Sequence, residues 1–294
     1  MNVLVVHDYG PLGRLLMERL RETRLGVSSL LISQPDEVDL VALARWVPAD
    51  TDLIVNALWQ SDPEQAESEP ELARQWSFSV PLALAEYARE RDIALLQLSS
   101  SYIFDGRKQS AYITSNPGNP FNQLGNWQWE CEQALRVLLP RHLILRTGWS
   151  LARFVTKVLA ADAEHPLQLS SRCHGQPVPY RDLARVMSAI IMQVDCGAEA
   201  WGTYQYAAAE DISQYELGLA IVQALEGRRQ GVHVVDEPPA WLKLEPQNAA
   251  LGCIKIRNTF GIKQVPWRTG LKAELALLGA DKAADAATTS DLQH

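Results

Sequence analysis

The sequence predicts an α/β fold: a doubly wound parallel sheet with a smaller C-terminal lobe of the substrate-binding type. Three observations lead there. The chain begins with a short apolar run, 2-NVLVV-6, which opens through the glycine-containing turn 7-HDYGPLG-13 onto a helical pattern. Apolar runs then alternate with helical stretches as far as residue 150, the rhythm of β–α–β units with parallel strands. Most of those runs are apolar nearly throughout, as strands covered by helices on both faces must be.

Each element follows in turn. Leu12, Leu15, Leu16, Arg19 and Leu20 recur at spacings of three and four, one side of a helix. The runs 27-VSSLLIS-33 and 52-DLIVNAL-58 read as the second and third strands and bracket the helical stretch 38-VDLVALARWV-47. A helix over 70–91 leads to a fourth strand, 93-IALLQLSS-100, and a helix over 121–139 leads to a fifth, 142-HLILRTG-148. Beyond 150 the rhythm loosens. Helices over 151–163 and 180–195 surround the short segment 167-LQLSS-171, and 202-GTYQYAA-208 reads as a strand. Ser213 caps a further helix, with Glu216 as its capping-box partner. The stretch 232-VHVVDEPP-239 ends in two prolines, and 240–270 is irregular. Residues 1–150 thus form the sheet domain. Residues 151–280 form a lobe that completes a cleft, with some segments returning to the sheet. Residues 281–294 carry no large apolar groups beyond Leu292 and read as a disordered tail.

Composition bounds the function. Apolar residues make up 47% and charged residues 21% of the 294, the balance of a globular protein. A formal net charge of -8 with scattered basic residues argues against a nucleic-acid partner. No apolar run reaches the ~20 residues that cross a bilayer, so no membrane partner is expected. The start MNVLVVHDYG lacks the basic lead-in and cleavage site of a secretion signal, and a cytoplasmic location is expected. Four cysteines, at 131, 173, 196 and 253, form no C-x-x-C pair and read as reduced structural thiols. Cys173 and His174 are adjacent, but a zinc site needs about four ligands, so no metal is expected.

A dinucleotide-binding turn uses three glycines: one for the tight turn, one for close approach of the pyrophosphate and one for helix–strand packing. The following helix N-terminus then offers its N–H groups to the phosphates. In 7-HDYGPLG-13, Gly10 and Gly13 take the second and third places and His7 takes the first. Pro11, Leu12 and Arg14 complete the turn, with Arg14 able to offer charge to a phosphate. Asn56 and Ala57 end the third strand on the same side. NADP and NAD both remain open as cofactors, and the altered turn predicts weakened or absent binding. Asp36 and Asp39 follow the second strand, where an acidic residue can meet a ribose.

Several segments together resemble dTDP-4-dehydrorhamnose reductases, extended short-chain dehydrogenase/reductases with a Rossmann-like fold, and their non-catalytic relative, the regulatory beta subunit of methionine adenosyltransferase. They are 56-NALWQSDPEQAESEPE-71, 99-SSSYIFDG-106, 143-LILRTGW-149, 175-GQPV-178, 202-GTYQY-206, 245-EPQNAAL-251 and 260-FGIKQVPW-267, in the family's order. The resemblance implies a Ser/Thr, Tyr, Lys catalytic set. The Tyr phenol protonates the carbonyl oxygen, and the Lys lowers the phenol pKa from its free value near ~10. By resemblance Ser100 is the remaining hydroxyl, with Ser99 on the cofactor side. The Tyr and Lys places fall on Leu124 and Gln128, and no tyrosine in the chain has a lysine four residues on. Ser77 stands where an Asn is often found. The substrate-type cleft implied by the family takes in Ser101, Tyr102, Trp149, Arg172, Pro177 and Asn248. Glu245 replaces an Arg that would meet a diphosphate, and a carboxylate repels phosphate. Trp127 and Trp129 flank Gln128 and read as packing or contact residues.

Three functions stay open. One is a pseudoenzyme with a binding or regulatory role, a protein partner or homodimer, and a nucleotide as small-molecule ligand. Another is an active NAD(P)H-dependent reductase of a nucleotide sugar with an altered proton donor. The third is different chemistry on the same fold, such as epimerisation.

Overall fold

The computed structural model describes residues 1–161, 164–225, 232–235 and 243–291, with side chains described outside 232–235 and 280–291. In chain order the strands are β1 (Asn2–His7), β2 (Gly26–Leu31), β3 (Leu53–Asn56), β4 (Ala94–Ser100), β5 (His142–Thr147) and β6 (Trp149–Ser150). They continue as β7 (Leu167–Ser170), β8 (His174–Gly175), β9 (Pro177–Val178), β10 (Gly202–Tyr206), β11 (Ile212–Ser213) and β12 (Val232–Val235). The helices of the first half are α1 (Pro11–Arg21), α2 (Leu40–Trp46), α3 (Pro63–Ser68), α4 (Pro70–Arg74), α5 (Val80–Glu90) and α6 (Gln123–Leu138). Those of the second half are α7 (Leu151–Ala160), α8 (Tyr180–Asp195), α9 (Gln214–Ala224), α10 (Ile254–Phe260) and α11 (Arg268–Asp291).

Six strands form the main sheet in the order β10-β5-β4-β3-β1-β2, and every pairing in it is parallel. The chain winds from β1 to β2 in one direction and from β3 onward in the other. The reversal therefore lies between β1 and β3, and the crevice beyond their carboxyl ends is where open α/β sheets bind ligands. β3, β4 and β5 are buried along their whole length. The edge strand β2 departs from the expected apolar run: its residues are half-buried or exposed, since one long side of it has no partner.

One apolar layer joins Leu12, Leu16 and Leu20 of α1 to Leu183, Met187 and Ile191 of α8. The opposite layer packs Leu43 of α2, Leu84 and Ala88 of α5 and Leu135 of α6. Both α8 and β10 come from beyond residue 150, yet they complete the sheet domain. A third cluster, with Trp149, Phe154, Leu217, Ile221 and Trp267, forms the centre of the lobe.

Two local readings meet the structure differently. The helix expected over 70–91 is interrupted by a π-helical turn, Gln75–Ser79, between α4 and α5. Pro81, at the start of α5, has no N–H and its ring crowds the preceding turn, which favours the wider spacing. The capping box at α9 does form: Ser213 accepts from the Glu216 N–H while the Glu216 carboxylate accepts from the Ser213 N–H. α11 continues to Asp291, through most of the segment read as a tail, and residues 236–239 with their two prolines lie outside the described residues.

Glu274 of α11 is fully buried and accepts the Tyr180 N–H at the start of α8 at 3.2 Å. Burial pushes its carboxyl up to about 7, with that N–H opposing. The folded chain thus keeps the proton to about pH 7, whereas the unfolded chain releases it near 4.5. Stability contributed by this group is therefore lost as pH rises between those values. Glu274→Gln is predicted to raise stability at pH 8 by on the order of 1–3 kcal/mol and to change it little at pH 4. Urea melts at both pH values decide this; an equal change at both would show that the carboxyl does not titrate in that range.

Candidate active site

The serine run ends β4 inside the crevice. The Ser100 hydroxyl donates to Gln128 Oε1 at 2.5 Å and accepts the Tyr102 N–H at 3.1 Å. Gln128 Nε2 in turn donates to the Gln60 carbonyl at 3.1 Å. The helix that carries Gln128 is started by Asn122, whose side chain accepts the Gly125 N–H at 2.7 Å. One turn before Gln128, Leu124 is 1% exposed and packs in the lobe's apolar cluster. The site therefore holds no proton donor at Leu124. The hydroxyl that would orient a carbonyl is already engaged with an amide oxygen. Ser99 donates to Glu132 Oε1, one turn further along the same helix, at 2.6 Å. Ser101 is buried, and its hydroxyl has no partner among the described residues.

At the glycine turn, His7 lies against Gly13: a Cβ on Gly13 would stand 2.3 Å from the His7 Cβ. Glycine is what lets an imidazole-bearing residue occupy the end of β1. Asp8 then turns back, and its Oδ1 accepts the Gly10 N–H at 2.7 Å. Pro11, the first residue of α1, has no N–H to offer. An internal carboxylate thus sits at the helix start, where the dipole favours an anion. Arg14 lies on the exposed side of α1. Asn56 is buried and donates to Gln97 Oε1 at 2.8 Å, while Ala57 donates its N–H to the Val6 carbonyl at 2.8 Å. Asp39 caps α2 by accepting the Ala42 N–H, so it is not directed to a ribose, and Asp36 is exposed. Beside the turn a cavity of about 330 Å³ is lined by Asp8, Trp59, Asp62, Glu69, Trp76 and Leu124 among others. Trp59 meets Tyr180 edge-on at 5.7 Å, joining the end of β3 to the start of α8.

A larger cleft, about 590 Å³, opens between the sheet and the lobe. Arg107, Arg172 and Lys243 line it, with Asp105, Asn119, Phe121 and Glu245. Glu245 is 4% exposed, but its charge is met: Arg153 Nη1 lies 2.6 Å from its Oε1. The Tyr102 hydroxyl donates to Glu245 at 3.0 Å and accepts from Arg153 Nη1 at 2.8 Å. Burial pushes the Tyr102 phenol well above its ordinary value; Arg153 opposes this and Glu245 adds to it. Burial works against the Arg153 charge as well, and Glu245, Tyr102 and Asp62 together outweigh it. The repulsion expected from Glu245 toward a phosphate is thus offset at its source. Asp105 is likewise engaged, by the Tyr112 hydroxyl at 2.7 Å and Asn119 at 3.0 Å. The charge left on the walls is positive.

Of the remaining expected residues, Trp149, Pro177 and Asn248 are not among those that line this cleft. Trp149 and Pro177 pair across β6 and β9, and Trp149 lies over Gly175, where a Cβ would stand 2.6 Å from the indole. Asn248 Nδ2 donates to the Lys108 carbonyl at 2.7 Å and so pins the loop that carries Arg107. Trp127 and Trp129 take cation–π contacts, from Arg74 and from Arg136 and Arg146. Among the described residues no group of three His, Cys, Asp or Glu is arranged to hold a metal ion. No described helix is long and apolar enough to cross a membrane.

The family model described as the RmlD substrate binding domain matches residues 1–279. This chain belongs to that family. A dTDP-4-dehydrorhamnose reductase of Aggregatibacter actinomycetemcomitans is 26% identical over 287 residues, 92% of this chain and 97% of that protein. Methionine adenosyltransferase 2 subunit beta of Mus musculus is 25% identical over 233 residues, 76% of this chain and 69% of that protein. The crystal structure of dTDP-4-dehydrorhamnose reductase from Bacillus anthracis in complex with NADP superposes with a TM-score of 0.73 at 19% identity, covering 94% of this chain and 97% of that one. The RmlD-family membership and the Rossmann-like doubly wound sheet read from the sequence both stand.

Asp8, Trp59 and Arg153 are the site residues that the sequence reading missed. Glu245 was the signal for Arg153, since a carboxylate among apolar neighbours needs a cation. Its partner lies 92 residues away, and nothing local points to it. Removing one member of a buried pair strands the other, at a cost of ~3–5 kcal/mol. Arg153→Met is predicted to lose about that much stability, and adding Glu245→Leu to recover most of it. Chemical denaturation of both variants measures this; a loss near zero in Arg153→Met would mean that Glu245 is hydrated.

Proposed function

We infer that this member of the RmlD family is a catalytically impaired, ligand-binding protein. It keeps the substrate-side cleft for a nucleotide or nucleotide-sugar ligand and has lost the proton relay of carbonyl reduction. The observation that carries the reading is the Ser100–Gln128 hydrogen bond, 2.5 Å long, next to buried Leu124. Loss of a general acid costs ~10²–10⁴ in rate. Tyr102 does not substitute, because its proton is directed to Glu245.

The cofactor side supports the same reading. A dinucleotide needs the helix N-terminus free for its pyrophosphate. Here the Gly10 N–H serves Asp8, and Pro11 has none to give. A phosphate at that place would face the Asp8 carboxylate. The cavity beside it carries Asp8, Asp62 and Glu69 and no cation among its lining residues. Trp59 and Tyr180 meet across the crevice. These residues do not fit an NADP or NAD pyrophosphate, and binding is predicted to be weakened or absent. The substrate-side walls do suit a phosphorylated ligand, through Arg107, Arg172 and Lys243. A chain that binds a nucleotide without reducing it suits a regulatory role toward a protein partner or as a homodimer.

Thermal-shift titration of the purified chain with NADPH, NADH and dTDP tests this, together with turnover of NADPH on a nucleotide-sugar ketone. A saturating rise in Tm with dTDP is expected, reduced in Arg172→Gln, with no response to either dinucleotide below millimolar concentration. NADPH binding at micromolar concentration with ordinary turnover would instead establish an active reductase with an altered proton donor.

A further inference from the structure

A second basic cleft lies on the other flank of the molecule, at the β5–β10 edge of the sheet. It measures about 520 Å³ and shares no lining residue with the clefts described above. Four separate parts of the chain build it: Trp129 and Arg136 of α6, His142 and Arg146 of β5, Gly202 and Thr203 of β10, and Lys255 of α10. The loop 114–117 closes the remaining side with Thr114, Ser115 and Asn116.

The charges do not balance. Arg136 and Arg146 both bond Glu132, at 2.6 and 2.7 Å, and Glu132 is the one carboxylate in their ion pairs among the described residues. Lys255 has no carboxylate partner there; its ammonium donates to the Thr203 carbonyl at 2.9 Å and lies over the Tyr204 ring at 4.4 Å. Three cations therefore share one anion, and Glu132 itself lies behind the cleft rather than on its wall. Arg146 is 1% exposed and still lines the cleft, and its Nη1 makes only a 3.4 Å contact with the Thr114 carbonyl. Both guanidiniums stand within 6 Å of the Trp129 ring, at 5.3 and 5.9 Å, which holds them in place. The Lys255 amine is pushed down by burial and further by Arg146, as an ammonium in an uncompensated positive field must be. His142 is pushed down by burial as well, and its Nδ1 is engaged with the Leu139 carbonyl at 2.6 Å.

We propose that this cleft, built by Arg136, Arg146 and Lys255 against Trp129, is a binding site for a phosphate group of a small metabolite. The excess of two positive charges matches a phosphate dianion. The ammonium's remaining N–H groups, the Arg146 Nη1 and the hydroxyls of Thr114 and Ser115 supply its hydrogen bonds. A single carboxylate would neutralise half of that excess. A nucleic acid would need a continuous basic track, which a concave cleft on a chain of net charge -8 does not offer.

Inorganic phosphate and pyrophosphate are the probes, titrated into the full-length protein by calorimetry at constant ionic strength, with chloride as the control. Saturable binding is expected. Lys255→Met and, separately, Arg136→Gln should each weaken one binding event by about ten-fold or more, an event that persists in Arg172→Gln, whose effect is confined to any phosphate taken up by the substrate-type cleft. Each variant is first shown to be folded by circular dichroism. Arg136 is 29% exposed, so its replacement leaves the core intact if Lys255→Met does not. Loss of binding in Arg172→Gln with retention in Lys255→Met would place the phosphate in the other cleft and overturn the proposal. So would the absence of saturation in the unsubstituted protein up to tens of millimolar.

Discussion

The arrangement of the substrate-side cleft depends on the ion pair between Arg153 and Glu245. It joins α7 to the segment after residue 243, and Tyr102 bonds to both members. Burying two charges costs several kcal/mol per ion, and the pair repays this only where the geometry is good and further hydrogen bonds are made. Here the 2.6 Å contact is backed by the Tyr102 hydroxyl and by Asp62 at 3.2 Å from Arg153 Nε. The consequence reaches the ligand. With Glu245 and Asp105 both engaged internally, the side chains left to meet a ligand's charge are Arg107, Arg172 and Lys243. A carboxylate that looks hostile to phosphate in the sequence becomes part of the scaffold that leaves the cleft basic.

A second constraint runs through the crevice: buried polar groups must be satisfied. Several polar groups of the crevice are met here from within. Ser100 has Gln128, the Gly10 N–H has Asp8, Asn56 has Gln97, and the space over Gly13 has His7. Leu124 needs no partner and joins the core. Gln128 closes the pair with Ser100 without burying a charge.

Much of the fold was legible because it rests on local periodicity. The buried strands β3, β4 and β5, the helix Tyr180–Asp195 and the capping box at Ser213 all follow from spacing within a few residues. Burial on both faces forces continuous apolar runs, and such runs are hard to misread. The interruption at Gln75–Ser79 was not legible, since the composition of 70–91 stays helical and only Pro81 hints at the break. The family-like segments offered candidate site positions but none of the contacts between them. Asp8 occupies the helix start only because of how the backbone turns after His7. Arg153 finds Glu245 across the whole lobe. Contacts at such separation leave no periodic trace.

Charge distribution makes sense of two basic clefts on an acidic chain. At physiological ionic strength a charge is felt over ~8–10 Å, so the net -8 of the molecule acts weakly inside a cleft. What an anion meets there is the local sum. In the substrate-type cleft that sum is set by Arg107, Arg172 and Lys243 against Asp105, with Glu245 neutralised by Arg153. At the β5–β10 edge it is set by Glu132, which is shared between two guanidiniums and also accepts the Ser99 hydroxyl. Ser99 and Ser100 are consecutive on β4, and their hydroxyls bond Glu132 and Gln128, one turn apart on α6. The end of β4 is thus tied to α6 by two side-chain hydrogen bonds. Any shift of α6 along β4 would disturb both at once, so the helix is held in register by polar contacts as well as by the packing of Leu135 and Cys131.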